Sequence, residues 1–398
     1  MRSERECGPG AAWRDFPRPL RRLDGPARER LTLAALLEKC MASHPIEPAY
    51  ADLRRALAGL RRRALERALS LCALLPVCRP VEEAIRLEQL EADLTAALRA
   101  VAGTGPVRPA LDFALLEETD QLYRFANLLD AEQELPAERV TGGRAEITPG
   151  RPCIAAHRHP YDSAFRPLDF DAAPLAARLT VALLAPLERH MASLYVQRTG
   201  EAADREARAL FAEMALIEEQ HASQYESLWD PRRTALENLP LRAAGLCYAY
   251  RSLVAAETNE TLRGVWRDNL AAAEADMAAL SALAGCAPTA DFPPPFLFGD
   301  TSALARDLMP RQVTLTMLED SLVPSDLLPA GCRYFAWQRA LNGSGADTPS
   351  HCVVRRYAAR YGTDYRFERK ANPIEALQNR RADNIQLGCE PLAFLRRE

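Results

Sequence analysis

Residues 205–228 read REARALFAEMALIEEQHASQYESL, and this stretch decides how the middle of the chain folds. Its apolar residues recur at the spacing of an amphipathic helix, in a stripe that contains Phe211, Met214, Tyr225 and Leu228. Glu218 and His221 fall inside that stripe. A carboxylate that faces a helical core is unfavourable unless a cation, a hydrogen-bond network or a proton compensates it. Because Glu218 and His221 are three residues apart, they leave one helix face and can bind one metal ion.

Four amphipathic segments of helical length, separated by short polar breaks, make up this part of the chain: 172–197, 202–228, 234–256 and 260–283. Four helices of about 25 residues with short connections are what an antiparallel bundle requires. Glu188 lies in the apolar stripe of the first segment, and Glu274 lies in that of the fourth. We therefore predict an all-α four-helix bundle whose core receives carboxylates from three helices.

The rest of the chain is also predicted to be helical. Further helices are expected over 31–42, 48–75, 80–101 and 110–132, followed by a loop over 138–165. The first 30 or so residues, rich in proline and arginine, are expected to be poorly ordered. The predicted domains are a helical N-terminal extension (1–108), the bundle (109–286), and a C-terminal extension of loops and two or three short helices (287–398).

Composition excludes several classes of protein. The 398 residues carry a net charge of -4, which gives no overall attraction to nucleic acid or to anionic lipid. An arginine-rich helix over 53–69 is better explained as a solvated face than as a nucleic-acid or membrane contact. The sequence contains no signal-peptide pattern, no apolar run long enough to span a membrane and no CxxC pair among ten cysteines. We expect a soluble cytoplasmic protein with neither nucleic acid nor membrane as its partner.

Several motifs resemble the ferritin-like superfamily, and more closely an uncharacterised bacterial branch of it. They are LLEETDQLYRFAN (115–127), IEEQH (217–221), EITPGRP (146–152) and HRHP (157–160). The superfamily pattern is Glu, Glu-x-x-His, Glu and Glu-x-x-His on four helices. By position, Glu188 fills the first place, and Glu218 with His221 fills the second. The third segment has no carboxylate before Glu257, and Glu274 is followed three residues later by methionine instead of histidine.

The resemblance therefore implies a partial site that binds one iron or manganese ion per chain. Glu188, Glu218 and His221 would be its ligands, and Glu274 would bridge or handle protons. Tyr225 would be a radical or hydrogen-bonding partner, although a plain core tyrosine is the simpler interpretation. The chain would then be a metal-dependent oxidoreductase that uses oxygen or peroxide and acts on an unknown small molecule.

Other interpretations stay open. The same buried groups could form a metal-free network that shares protons, in a scaffold that binds a protein partner or a second copy as a homodimer. The position of Glu257 discriminates between one metal ion and two: at the bundle centre it would permit a second metal, and at the end of its helix it would not. Glu118 and Gln121, three residues apart on an earlier helix, are interpreted as a hydrogen-bonded core pair. Pro186, one turn before Glu188, is expected to break or kink its helix. His157 and His159 are interpreted as an exposed pair or a loop clasp.

Overall fold

The computed structural model describes residues 23–43, 51–103, 105–133, 135–142, 147, 165–299, 301, 303–304, 308 and 349–361. The described residues form ten helices and no strand, which confirms the prediction of an all-α chain for this part of the protein. In chain order the helices are α1 (Gly25–Ala42), α2 (Ala51–Cys72), α3 (Pro80–Ala102), α4 (Arg108–Gln133), α5 (Glu138–Thr141), α6 (Leu175–Glu201), α7 (Arg205–Ser227), α8 (Ala235–Ala256), α9 (Glu260–Ala284) and α10 (Pro349–Tyr361). None of them is long and apolar enough to cross a bilayer.

Local sequence signals explain where the central helices begin and end. Asp204 caps the start of α7, since its side chain accepts hydrogen bonds from two backbone N–H groups of the first turn. Thr234 and Glu237 form a capping box at the start of α8. Gly285, with φ at 68°, ends α9 in the left-handed conformation that favours glycine. The predicted boundaries of these helices are therefore close to the observed ones.

The N-terminal expectation needs correction where the structure describes it. Helix α1 begins at Gly25, because Asp24 accepts a hydrogen bond from the N–H of Ala27 and Pro26 occupies the first turn. Residues 25–30 are therefore helical, and residues 1–22 lie outside the described part. His157 and His159 also lie outside it.

Helix α6 does not break at Pro186, which lies in its interior. Proline removes one backbone hydrogen bond from a helix, but a helix that is packed on its neighbours can continue through it. The carbonyl oxygen of Pro186 accepts a hydrogen bond from the thiol of Cys40 at 3.3 Å. Glu188 therefore lies on the same continuous helix as the residues before the proline.

The helices group into two compact units. Unit 1 contains the described residues within 1–77, 169–187 and 230–297, and unit 2 contains those within 78–168, 188–229 and 298–398. This grouping differs from the predicted contiguous domains 1–108, 109–286 and 287–398. The apolar periodicity of a helix shows which face is buried, but not which helix covers it. Of the four central helices, α8 and α9 belong to unit 1, α7 belongs to unit 2, and α6 is divided between the two units after Leu187.

The core of unit 1 contains aromatic side chains and a buried network of charged side chains. Helix α1 packs on α2 and α8, and α9 packs on α8 and α2. The guanidinium of Arg67 lies between the buried carboxylates of Glu38, at 2.7 Å, and Asp276, at 3.0 Å. Tyr250 donates a hydrogen bond to Glu38 at 2.8 Å and packs against the ring of Trp266. The charges of this unit are therefore paired within its core.

Unit 2 is built on α3, α4, the second part of α6, and α7. Helix α4 packs on α3 and α7, and α10 packs on α4 and α7. The second part of α6 joins this core through Tyr195, whose ring lies 5.5 Å from Phe125 and 5.7 Å from Phe211 between centroids. Four helices thus surround one core, and the unusual feature of that core is the number of carboxylates inside it.

Candidate metal centre

Each of the four core helices of unit 2 contributes at least one buried acidic side chain to the same place. Two groups of potential ligand atoms, each within 4.8 Å of one another, are present in the described residues. The first, called here the histidine position, consists of Glu118, Glu188, Glu218 and His221. The second, called the carboxylate position, consists of Glu88, Glu91, Glu118 and Glu218. Glu118 and Glu218 belong to both groups, so the two positions adjoin and share two carboxylates.

Helical spacing explains why these side chains meet. Glu88 and Glu91 are three residues apart on α3, and Glu218 and His221 are three apart on α7, so each pair leaves one helix face. On α4 the equivalent pair is Glu118 and Gln121, both buried. The spacing of these pairs directs all of them into the core of unit 2.

The imidazole of His221 is oriented by acidic groups on both sides. Its Nδ1 lies 3.2 Å from an oxygen of Glu118, 3.4 Å from one of Glu218 and 3.6 Å from one of Glu188. Its Nε2 lies 3.6 Å from Glu117, also on α4. A metal-binding histidine commonly directs its other ring nitrogen at a carboxylate, which fixes the tautomer. Nδ1 is therefore the nitrogen that faces the histidine position.

The oxygen and nitrogen atoms at the centre lack hydrogen bonds. Both oxygens of Glu91, Glu118 and Glu218, one oxygen of Glu188 and both ring nitrogens of His221 are buried without a hydrogen-bond partner among the described residues. Both side-chain atoms of the buried Gln121 amide are in the same situation. Buried polar groups are normally satisfied, and each exception costs about 1–3 kcal/mol. So many exceptions at one point fit a site that is completed by a cation.

Burial and mutual repulsion perturb these groups strongly. Burial raises the pKa of Glu91 well above its ordinary value, and the neighbouring carboxylates, Glu188 first, raise it further. Burial also raises the pKa of Glu188, where the charge of Glu118 adds to the effect. Burial opposes protonation of His221, but the adjacent carboxylates, Glu118 first, outweigh it and raise the imidazole pKa. Without a cation, the centre must therefore hold protons that it would release when a metal binds.

Two tyrosines lie beside the centre, and they differ in the hydrogen bonding of their hydroxyl groups. Tyr195 donates a hydrogen bond to one oxygen of Glu88, which leaves the other oxygen of that carboxylate without a partner. Tyr225, one turn after His221 on α7, is fully buried, and its hydroxyl has no hydrogen-bond partner. Burial, followed by the charge of Glu188, raises the pKa of Tyr225. Tyr225 is therefore a neutral phenol next to the histidine position.

The structure brings together some of the residues expected from sequence and not others. Glu188, Glu218 and His221 meet as predicted, with Tyr225 beside them. Glu274 does not join them: it lies on α9 in unit 1, is 39% exposed and pairs with Arg251. Its spacing placed it in line with the apolar residues of α9, but its side chain is partly exposed and forms an ion pair with Arg251.

Glu257 is likewise engaged elsewhere. It lies just after the end of α8, where Arg30 binds both of its oxygens at 3.0 Å. It also accepts a hydrogen bond from the indole of Trp266 at 3.1 Å. Because both of its oxygens are paired, Glu257 has a structural role. It lies at the end of its helix and does not supply a second metal position.

The sequence reasoning missed the residues that make the second position. Glu88 and Glu91 were not expected at the site, and Glu118 was interpreted only as half of a core pair. The available signal was the spacing of Glu88 and Glu91 within an apolar stripe of the helix predicted over 80–101. That helix was assigned to an N-terminal extension, so its carboxylates were not connected with those of α7.

An apolar cleft lies on the two helices that carry the histidine position. It has a volume of about 340 Å³ and is bordered by α6 and α7, with Ala192, Val196, Ala215 and Leu216 among its lining residues. Ala192 follows Glu188 by one turn, and Ala215 precedes Glu218 by nearly one turn. Small-molecule sites typically have volumes of about 300–1,000 Å³. The cleft is therefore large enough for a small apolar molecule.

Comparison with known proteins adds no assignment: no family model matches the chain, and no curated protein and no solved structure matches it significantly.

Proposed function

We propose that the chain is a metal-dependent oxidoreductase of the ferritin-like class, with two metal positions in the core of unit 2. The observation that carries this proposal is the pair of adjoining donor groups that share Glu118 and Glu218, most of whose oxygen and nitrogen atoms have no hydrogen-bond partner among the described residues. The bridging of two positions by shared carboxylates, with Glu-x-x-His on one helix, is the ligand logic of di-metal carboxylate bundles. Carboxylate and imidazole donors suit iron and manganese.

Charge favours two ions over the single ion expected from sequence. Five buried glutamates converge on the centre: Glu88, Glu91, Glu118, Glu188 and Glu218. If all five were ionised, one divalent cation would leave a net charge of about −3 inside the core, and two would leave about −1. A buried uncompensated charge costs several kcal/mol. Two ions therefore account for the composition of the core better than one.

The residues around the centre have separable roles. A bound pair of iron or manganese ions would supply Lewis-acid and one-electron chemistry toward oxygen or peroxide. Glu117 holds the imidazole of His221 from its outer side, and Tyr195 orients Glu88. The buried phenol of Tyr225, beside the histidine position, would serve as a radical or hydrogen-bonding partner of the bound metal. The apolar cleft between α6 and α7 would hold a small apolar substrate.

The first test is the metal content of purified protein after anaerobic loading with Fe²⁺ or Mn²⁺, measured by elemental mass spectrometry. We expect two ions per chain in the wild type and fewer than one in Glu218→Ala. Glu219→Ala is the matched control, because Glu219 is the next residue on α7 but its side chain is 42% exposed and paired with Arg189. Wild-type protein without metal after loading would contradict the proposal and favour the metal-free scaffold.

A measurement of oxygen consumption then distinguishes redox activity from metal binding alone. The loaded wild type should consume oxygen, and Tyr225→Phe should bind the same two ions but consume it more slowly. A loaded wild type that is inert toward both oxygen and peroxide would leave a metal-binding protein without the proposed redox activity.

A further inference from the structure

The two positions of the centre differ in donor chemistry. The histidine position has an imidazole nitrogen, that of His221, together with carboxylates. The carboxylate position has no nitrogen donor among the described residues: its four members are all glutamates. On α4, the residue three after Glu118 is Gln121, whereas on α7 the residue three after Glu218 is His221. The difference in donor chemistry therefore comes from the sequence: the residue three after the shared glutamate is glutamine on α4 and histidine on α7.

The carboxylate position is a formed site with free donor atoms. Glu91 is fully buried, and both of its oxygens lack a hydrogen-bond partner. Glu88 has one oxygen bound by the Tyr195 hydroxyl and the other free. Tyr195 is itself held by packing against two aromatic rings, so Glu88 is kept in one orientation. The position consequently offers several hard oxygen donors in a fixed arrangement.

We propose that the two positions select different metals: the histidine position selects iron, and the carboxylate position discriminates little and takes the harder Mn²⁺ when it is in excess. Imidazole favours the later divalent ions such as Fe²⁺, whereas an all-oxygen donor set suits Mn²⁺ and Mg²⁺. This inference rests on the proposed two-metal centre and specifies its cofactor. The chain would then bind a mixed pair of metal ions, with iron at the histidine position and manganese at the carboxylate position.

The test is competition between metals, read separately at each position. Full-length protein is loaded anaerobically with Fe²⁺ and a tenfold excess of Mn²⁺, freed of unbound metal and crystallised. Anomalous diffraction at the iron and manganese absorption edges then gives the metal ratio at each position. We expect the iron-to-manganese ratio at the histidine position to exceed that at the carboxylate position by on the order of tenfold.

Two variants test the same proposal in solution by elemental mass spectrometry. Glu91→Gln changes only the carboxylate position, and it should lower bound manganese by at least half while iron stays near one per chain. His221→Gln replaces the nitrogen donor by an amide, and it should reduce the preference for iron about tenfold. Circular dichroism of both variants verifies that they are folded.

The outcomes distinguish this inference from the proposed function. Equal metal ratios at both positions, or iron content that His221→Gln leaves unchanged, would overturn the mixed pair and leave a uniform two-metal centre standing. One ion bound only at the histidine position would also overturn it. The absence of metal from both positions would overturn the proposed function as well.

Discussion

Replacing Glu91 by glutamine should stabilise the metal-free protein and destabilise the metal-loaded protein. Glu91 is fully buried, its oxygens have no hydrogen-bond partner, and neighbouring carboxylates raise its pKa far above the ordinary 4.5. Without metal, the folded chain therefore holds the proton of this group to a higher pH than the unfolded chain does. Glutamine has nearly the same shape and needs no proton.

The magnitude follows from proton linkage. At pH 7.5 the unfolded carboxyl, with its pKa of 4.5, lies three pH units above its midpoint. Above that midpoint, holding the proton in the folded state costs more with each pH unit, until the folded group also ionises and becomes a buried charge without a partner. The sign is that of a raised acid pKa: stability falls as pH rises above about 4.5. A buried polar group without a partner costs about 1–3 kcal/mol, so Glu91→Gln should increase the free energy of unfolding by about 1–3 kcal/mol at pH 7.5 and by less than about 1 kcal/mol at pH 4.5.

Metal should reverse the order. A ligand that binds only the folded state adds about 4.1 kcal/mol at one thousand times its dissociation constant, which exceeds the gain expected from Glu91→Gln. The variant lacks the Glu91 carboxylate and should lose most of that gain at the carboxylate position. Urea unfolding of both proteins, with chelator and with saturating Mn²⁺, measures the four free energies, and Glu219→Gln serves as the exposed control. A variant that is less stable than wild type in chelator at pH 7.5, or a gain that does not depend on pH, would refute the reasoning.

Further predictions concern other buried groups. In unit 1, Arg67→Met should cost about 3–5 kcal/mol because it leaves the buried carboxylate of Glu38 without a cation, whereas Arg63→Met, at a half-exposed position of the same network, should cost less than about 1 kcal/mol in the same denaturant titration. Tyr195→Phe should cost about 1.5–3 kcal/mol through its lost hydrogen bond, whereas Tyr225→Phe should increase stability by about 1–3 kcal/mol because it removes a buried hydroxyl that has no partner. Glu132→Gln should flatten the decline in melting temperature between pH 5 and 8, because burial and then Asp204 raise the pKa of Glu132 from 4.5 to about 7, and an unchanged decline would contradict this assignment.

The helices were predictable from sequence because local signals determine them. Apolar periodicity and caps such as Asp204 and Thr234 placed the central helices close to their observed bounds. The pairing of helices was not predictable in the same way, because an apolar stripe does not identify the helix that covers it. As a result, α8 and α9 were grouped with α7, although α3 and α4 share its core.

The same distinction applies to the candidate site: residues that share one helix face could be predicted, and contacts between helices could not. Glu218 and His221 were identifiable because both lie on one helix face and stand out from an apolar stripe. Glu274 occupied a similar stripe, and only the structure shows that it pairs with an arginine at the surface. Glu88 and Glu91 had the right spacing but lay more than one hundred residues away along the chain. Their meeting with α7 is a property of helix packing.

The central claim is that two metal ions occupy the carboxylate core of unit 2. Anomalous diffraction from crystals of protein loaded anaerobically with Fe²⁺ alone tests it most directly. The account predicts two peaks about 3.5–4 Å apart, one next to Nδ1 of His221 and one between Glu88 and Glu91, with Glu118 and Glu218 reaching both. A core without an anomalous peak, or a peak outside the side chains of these five residues and Glu188, would contradict it.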